Sequence, residues 1–192
     1  MKTEELYDRN VAGEVDKIQM EFLYSERMKL GEGNSLEIGV YYGASLIYLA
    51  AAQEEIGSGL AFGICPWGRM GEIDRAVDYS TFEEYIKTHT VDLRMWINPI
   101  IGKSGDIRVE RLLNLMPVQI LFIDANHNSP NPYNDFLMYR WIVPKGGKVI
   151  FHDLGGWDIK NDALKALKEV KGFGESWTEL IDVHGMGVTE KL

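Results

Sequence analysis

Four residues, Asp124, His127, His152 and Asp153, have the types and the placement to do chemistry together. Asp124 closes the apolar run Gln119-Ile120-Leu121-Phe122-Ile123, and His127 follows three positions later. His152 and Asp153 close a second run, Lys148-Val149-Ile150-Phe151. A nearly continuous apolar run with polar residues at its end is what a parallel strand buried on both faces produces, and ligands of open α/β sheets bind beyond the carboxyl ends of such strands. Two carboxylates and an imidazole gathered at one sheet edge could hold a divalent cation, with oxygen ligands favouring Mg²⁺ or Mn²⁺. Left without a cation, a proton or donors, the Asp124 and Asp153 carboxylates would repel one another and cost stability. The plainer reading takes each residue alone: Asp124 caps a turn, His127 is solvated, and His152-Asp153 opens a helix. For any single residue the plainer reading is preferred, and for all four together a site is.

A second stretch, Ser35 to Leu49, changes period in its middle. Leu36, Ile38 and Val40 alternate as in a strand, whereas Ala44, Leu46, Ile47, Leu49 and Ala50 follow helical spacing. Between them lies Glu37-x-Gly39-x-x-x-Gly43, which is not the G-x-G-x-x-G of a dinucleotide site. A glycine turn lets a ligand approach the main chain, and the helix that follows offers it free N–H groups. Other polar residues fall just beyond strand-like runs: Cys65-Pro66-Trp67, and Gly102 to Asp106 with Ser104 inside it. Tyr41 and Trp67 could stack on a ligand or simply pack. Ser104 and Asp106 could meet a ligand or only start a helix. Asp135 could support the metal cluster or favour its own helix N-terminus. His89 and His184 read as structural.

The elements that position these residues alternate. Residues 4–30 carry Leu6, Val11, Val15, Ile18, Phe22 and Leu23 among charges, the spacing of one or two amphipathic helices that cover core or cap a pocket. Strands are expected at the first stretch, at Leu60–Ile64, Asn98–Ile101, Gln119–Asp124 and Lys148–Asp153. Helices are expected after the glycine turn, from a Ser80-x-x-Glu83 capping box to about Thr90, over Ile107–Met116, Tyr133–Ile142 and Asn161–Val170. Residues 66–78 read as a loop, and Trp177–Asp182 with His184–Val188 as a hairpin. The alternation implies a parallel sheet with helices on both faces and an antiparallel addition at one edge. Residues 1–34 are expected to form a helical extension and 35–192 the main domain.

The chain has 192 residues, 45% of them hydrophobic and 26% charged, and a net charge of −9. That charge argues against sequence-independent binding to nucleic acid or anionic lipid, which depends on Lys and Arg meeting phosphates. A small-molecule partner is expected instead, and oligomeric state stays open. One cysteine, Cys65, allows no internal disulfide, and Met1 is followed by Lys-Thr-Glu-Glu-Leu with no apolar signal core. With no apolar run of membrane length, the cytoplasm is the simplest location.

The E-x-G-x-x-x-G turn resembles motif I of class I S-adenosylmethionine (SAM) dependent methyltransferases. The run FIDANHNSPNPYNDF through PKGGKVIFHD is similar to F-I-D-x-x-H, an acid in the next helix, P-x-G-G and a strand ending in H-D. That pattern belongs to small metal-dependent O-methyltransferases related to macrolide-glycoside and rhamnosyl O-methyltransferases and to cephalosporin hydroxylase-like proteins. The resemblance implies a Rossmann-like α/β fold, a mostly parallel seven-stranded sheet in the order 3-2-1-4-5-7-6 with a C-terminal antiparallel hairpin. It implies SAM-dependent O-methylation of a small hydroxylated molecule such as a sugar or glycosylated natural product. It also implies SAM contacts at Glu37, Gly39, Tyr41, Gly43, Cys65, Trp67, Ser104, Asp106 and Asp124, Mg²⁺ or Mn²⁺ at Asp124, His152 and Asp153, and His127 as base. Two departures stand out. His152 replaces an acid of the metal set. Cys65 replaces the acid that usually receives the ribose hydroxyls, a loss worth ~1.5 to 3 kcal/mol of cofactor binding. These departures keep a noncatalytic SAM-binding or scaffold protein, and a hydroxylase-like relative, as rival readings.

Overall fold

A computed structural model describes Leu6 and residues 15–67, 77–89, 93–105, 117–155, 158–180 and 184–192. Its strands are β1 (Asn34–Ile38), β2 (Ala61–Cys65), β3 (Ile97–Ile101), β4 (Val118–Ile123), β5 (Lys148–His152), β6 (Thr178–Leu180) and β7 (Met186–Glu190). They form one seven-stranded sheet in the order β3-β2-β1-β4-β5-β7-β6. The pairs from β3 across to β5 are parallel, while β7 runs antiparallel to both β5 and β6. This is the arrangement that the alternating pattern and the resemblance led us to expect. All five β1 residues are buried, as a strand covered on both faces must be.

The helices are α1 (Lys17–Lys29), α2 (Ala44–Ile56), α3 (Tyr79–His89), α4 (Asn131–Tyr139) and α5 (Ile159–Glu169). Two cores result. One gathers α1, α2 and α3 over one face of the sheet, and the other gathers α4 and α5 over the opposite face. Every residue of α2 from Ala44 to Gln53 is buried, because this helix lies between the sheet and α1 and is apolar nearly all round.

Three details differ from the expectations. The cap of α3 is Asp78, whose carboxylate accepts from the Thr81 N–H at 2.7 Å, so the helix starts one residue before the S-x-x-E box. Helix α4 begins at Asn131 and gives way to a 3₁₀ turn over Arg140–Ile142. The buried face of α1 is Gln19, Met20, Leu23, Glu26 and Arg27, while Ile18 is 64% exposed. Apolar spacing misjudged that face because three of its buried members are polar with dedicated partners. Arg27, fully buried, donates to the carbonyls of Gly31 and Gly33 and to Gln53 Oε1, fastening α1 to the start of β1. Burial lowers its pKa to about 10. Glu26 pairs with Lys148 at the start of β5 and with Lys29. The loop expected over residues 66–78, beyond Trp67 and up to Ala76, and the helix expected over Ile107–Met116 lie outside the described residues.

Candidate functional site

The register of β4 and β5 sets Ile123 opposite Phe151, so the chain leaves the two strands with Asp124 and His152 side by side. Asp153 follows at φ 58°, a left-handed conformation that turns its carboxylate back over the strand ends. Among the described residues, the other non-glycine residues at positive φ are Tyr41 and Trp67, which stand just past β1 and β2. Such conformations cost about 1 kcal/mol each and persist where the surroundings enforce them.

The four residues singled out by type converge. His152 Nδ1 lies 3.0 Å from Asp124 Oδ1 and 3.3 Å from Asp153 Oδ2. His127 Nε2 lies 3.1 Å from that same Asp153 oxygen and 3.5 Å from the same Asp124 oxygen. Two oxygens and two nitrogens therefore alternate around a ring. The expected repulsion between the carboxylates is answered by the two imidazoles set between them. Burial disfavours the charged forms, but Asp124 and then Asp153 outweigh it and push His152 up to about 10. Burial likewise opposes charge on His127 and Asp124, yet the Asp124 and Asp153 carboxylates hold the His127 pKa up. The His152 and His127 imidazoles hold Asp124 below the usual carboxylate range.

Two further residues reach this cluster that type and spacing did not select. Gln19 of α1, fully buried, places its Oε1 2.9 Å from His152 Nε2. That oxygen also accepts from the Asp16 N–H, so His152 Nε2 must be a donor. His184, read as structural, brings Nδ1 to 3.5 Å from Asp153 Oδ1 on the far side of that carboxylate. Gln19 carried no signal within a helix of ordinary polarity. His184 carried a weak one, since its hairpin adds β7 beside β5.

The glycine turn also lets neighbouring segments approach closely. A Cβ on Gly39 would stand 2.1 Å from the Asp124 carbonyl oxygen, and one on Gly43 would stand 2.8 Å from the Phe82 ring. A valine at Gly43 would push against Phe82 of α3. Glu37 is fully buried, accepts a hydrogen bond from Ser45 on Oε1, and leaves Oε2 without a partner. Burial holds its pKa well above the usual range, with the Asp124 charge adding to the rise. Tyr41 is 37% exposed at the turn, whereas Trp67 packs on Tyr79 and Phe82 and donates to the Tyr41 carbonyl. Cys65 ends β2 opposite Ile101 and is partly exposed. Asp106 lies outside the described residues.

A cavity of about 950 Å³ opens beyond β2 and β3, lined by Pro66, Gly102, Lys103, Ser104 and, from α4, Asn134 and Asp135. Burial raises Asp135 to about 6, and a hydrogen bond from the Ser104 side chain offsets part of that rise. A raised carboxyl pKa means that the folded chain holds the proton more tightly than the unfolded one. Its cost is therefore absent below the ordinary Asp range and complete above about pH 6. Asp135→Asn is expected to raise stability by about 1–3 kcal/mol at pH 8 and to change little near pH 3.5. Urea denaturation at the two pH values checks this, and no gain at pH 8 would contradict it.

The donor set of Asp124, His152 and Asp153, whose ligating atoms lie within 4.8 Å of one another, suits a divalent cation. The cavity beyond β2 and β3 has room for a small-molecule ligand.

Residues 36–154 match the model of a family described as Methyltransferase domain. The uncharacterized protein R132 of Acanthamoeba polyphaga mimivirus is 29% identical over 93 residues, a match that spans 46% of this chain and 42% of that protein. An O-methyltransferase from Bacillus cereus, solved with S-adenosylhomocysteine (SAH), superposes with a TM-score of 0.74 at 16% identity, covering 99% of this chain and 90% of its own. The O-methyltransferase TomG from Streptomyces achromogenes, involved in tomaymycin synthesis and solved with SAM, gives 0.72 at 18% identity, covering 92% of this chain and 81% of its own. At these identities the two structures speak to the fold, and the family match covers more than half of the sequence and both sides of the cluster. The chain belongs to the methyltransferase-domain family and carries the class I, Rossmann-like fold of SAM-dependent methyltransferases.

Proposed function

We propose that this protein transfers a methyl group from SAM to a hydroxyl of a small molecule, a sugar or glycosylated natural product being the expected acceptor class, with a divalent cation at Asp124, His152 and Asp153. The observation that carries this reading is the Asp124–His127–Asp153–His152 ring at the carboxyl ends of adjacent strands in a methyltransferase-family chain. Residues 1–34 serve as an N-terminal extension of a domain spanning 35–192, and the reaction takes place in the cytoplasm. None of the described helices is long and apolar enough to cross a membrane.

Gly39 to Gly43 would hold SAM, with Glu37, Cys65 and Ser104 around it, and the bound cofactor would supply an electrophilic methyl group. His127 removes the proton of the acceptor hydroxyl as the oxygen–methyl bond forms and the methyl–sulfur bond breaks, leaving the thioether. Asp124, His152 and Asp153 would hold a divalent cation, which would offset the carboxylate charge that keeps His127 protonated and would supply Lewis acidity to a nearby hydroxyl. Asp153 and Asp124 fix the direction of the imidazole, and α1 closes the site from behind through Gln19. Direct transfer needs the acceptor oxygen in line with the methyl–sulfur bond, so positioning supplies much of the rate.

The test is incubation with methyl-labelled SAM and a panel of sugars, glycosides and phenols, with and without added divalent ions. Labelled methyl ether together with SAH supports the reading. Label found only on carbon or nitrogen would contradict the O-transfer assignment.

One observation favours a second reading, a SAM-binding protein without turnover: a free thiol, a weak acceptor, ends β2, where the resemblance leads one to expect a ribose-binding carboxylate. Cys65→Asp is expected to tighten SAM binding by roughly one to two powers of ten, by restoring a charged hydrogen bond. Unchanged or weaker binding in calorimetry would show that the ribose has another partner.

A further inference from the structure

We propose that Asp124, His152 and Asp153 form a mixed nitrogen–oxygen site that selects a borderline transition dication, of the class of Fe²⁺, Co²⁺ or Zn²⁺, over Mg²⁺, with Gln19 as the positioning residue for the ligating nitrogen. The inference rests on the metal-assisted reading above and names the ion class for that same site.

Three observations carry it. The first is the identity of the donors. An imidazole nitrogen takes the place of a third oxygen, so once an ion displaces the Nδ1 proton to solvent the set offers two carboxylates and one neutral ligand. Mg²⁺ demands hard oxygen donors in near-ideal octahedral geometry and gives up water reluctantly, whereas imidazole suits the later first-row ions.

The second is spacing. Ligand atoms held at ~2.0–2.2 Å from one ion lie roughly 3 Å or slightly more from their neighbours in tetrahedral or octahedral geometry. The His152 Nδ1 separations from the Asp124 and Asp153 oxygens are 3.0 Å and 3.3 Å. The nitrogen thus stands where an adjacent ligand belongs, without further movement of β4 or β5.

The third is orientation. Gln19 Oε1 is occupied by the Asp16 N–H on one side and faces His152 Nε2 at 2.9 Å on the other. The carbonyl oxygen can only accept, so the Nε2 position carries a hydrogen and Nδ1 is the ring atom turned to the carboxylates. A second hydrogen-bond partner of this kind fixes ring direction and raises ligand basicity in metal sites. His152 is 1% exposed and Gln19 fully buried, so neither can swing away to let water replace the nitrogen. The N-terminal helix is in this way part of the metal site.

The test uses the full chain, stripped of metal, with calorimetric titrations of Co²⁺, Zn²⁺ and Mg²⁺ and the visible spectrum of the Co²⁺ form. SAH binding is measured in the same preparation. Co²⁺ and Zn²⁺ are expected to bind at least about tenfold more tightly than Mg²⁺. Gln19→Leu should weaken Co²⁺ by roughly 10- to 100-fold and leave Mg²⁺ nearly unchanged. His152→Asp should reverse the order by restoring a third carboxylate. Should either variant fail to fold, pulsed electron paramagnetic resonance of the Mn²⁺-loaded parent decides, because nitrogen coupling from an imidazole is required. Equal or tighter Mg²⁺ binding, or no nitrogen coupling, overturns the proposal. Intact SAH binding with no binding of any of these ions overturns the ion assignment and leaves the methyltransferase reading standing. Loss of SAH binding as well overturns that reading too.

Discussion

His127→Ala is expected to lower methyl transfer by roughly 10²- to 10⁴-fold while SAH and divalent-ion binding stay close to those of the parent. The warrant is position. The imidazole faces both carboxylates from the opposite side to His152, and its side chain is 22% exposed where that of His152 is 1% exposed. His152 is enclosed and held at both ring nitrogens, so it suits a structural or ligating part. His127 follows β4 by a few residues on a polar loop and is the more exposed of the two imidazoles. A base acts on the proton and not on assembly, so its loss should appear in turnover and not in cofactor affinity. Single-turnover rates with methyl-labelled SAM, paired with SAH calorimetry, check this. An equal loss of SAH affinity would mean that His127 shapes the pocket instead.

Gly39→Ala is expected to destabilise the fold by about 3–5 kcal/mol, or to leave no folded chain. Gly39 sits at φ 90°, and a Cβ there would meet the Asp124 carbonyl oxygen at 2.1 Å and Ala125 Cα at 2.6 Å. These are backbone atoms with no rotamer to yield. The crossing is tied by Gly39 N–H to the Ile64 carbonyl and by Asp124 N–H to the Ile38 carbonyl, both at 2.9 Å. Relief of the clash must therefore pull β1 from β4 and displace Asp124 from the ring. Gly31→Ala is the control: φ is 67° there but no atom stands within 4 Å of the new Cβ, so only the cost of the backbone angle, ~1 kcal/mol, applies. Denaturant midpoints of the two variants separate steric from conformational cost. Similar midpoints would contradict the close approach of the two chain segments.

The sheet could be read ahead of the structure because its signals are local and strong. Two strands, ending at Ile123 and His152, are apolar almost throughout, and the change from strand to helix periodicity around Gly39–Gly43 marks one βα unit without help from the rest of the chain. Asp124, His127, His152 and Asp153 could be picked out for the same reason: strand ends in a parallel sheet must lie together. What was not legible depends on pairing between distant elements. The inward face of α1 was misjudged because Gln19 and Glu26 are buried by partners 133 and 122 residues away, and Arg27 by Gln53 and main-chain carbonyls, which periodicity does not weigh. Gln19 and His184 joined the cluster only once α1 and the hairpin had been placed. The glycines of the turn read as a ligand cradle. That they also make room for the Asp124 backbone and for Phe82 depends on contacts between distant elements and needs coordinates.

The central claim, that the space beyond β1, β2 and β3 takes SAM, is tested most directly by titrating the full chain with SAH in a calorimeter. The account predicts saturable binding of one SAH per chain at micromolar concentrations, with SAM competing for the same site. No heat at millimolar SAH or SAM, from a chain that still unfolds cooperatively in urea, would contradict it.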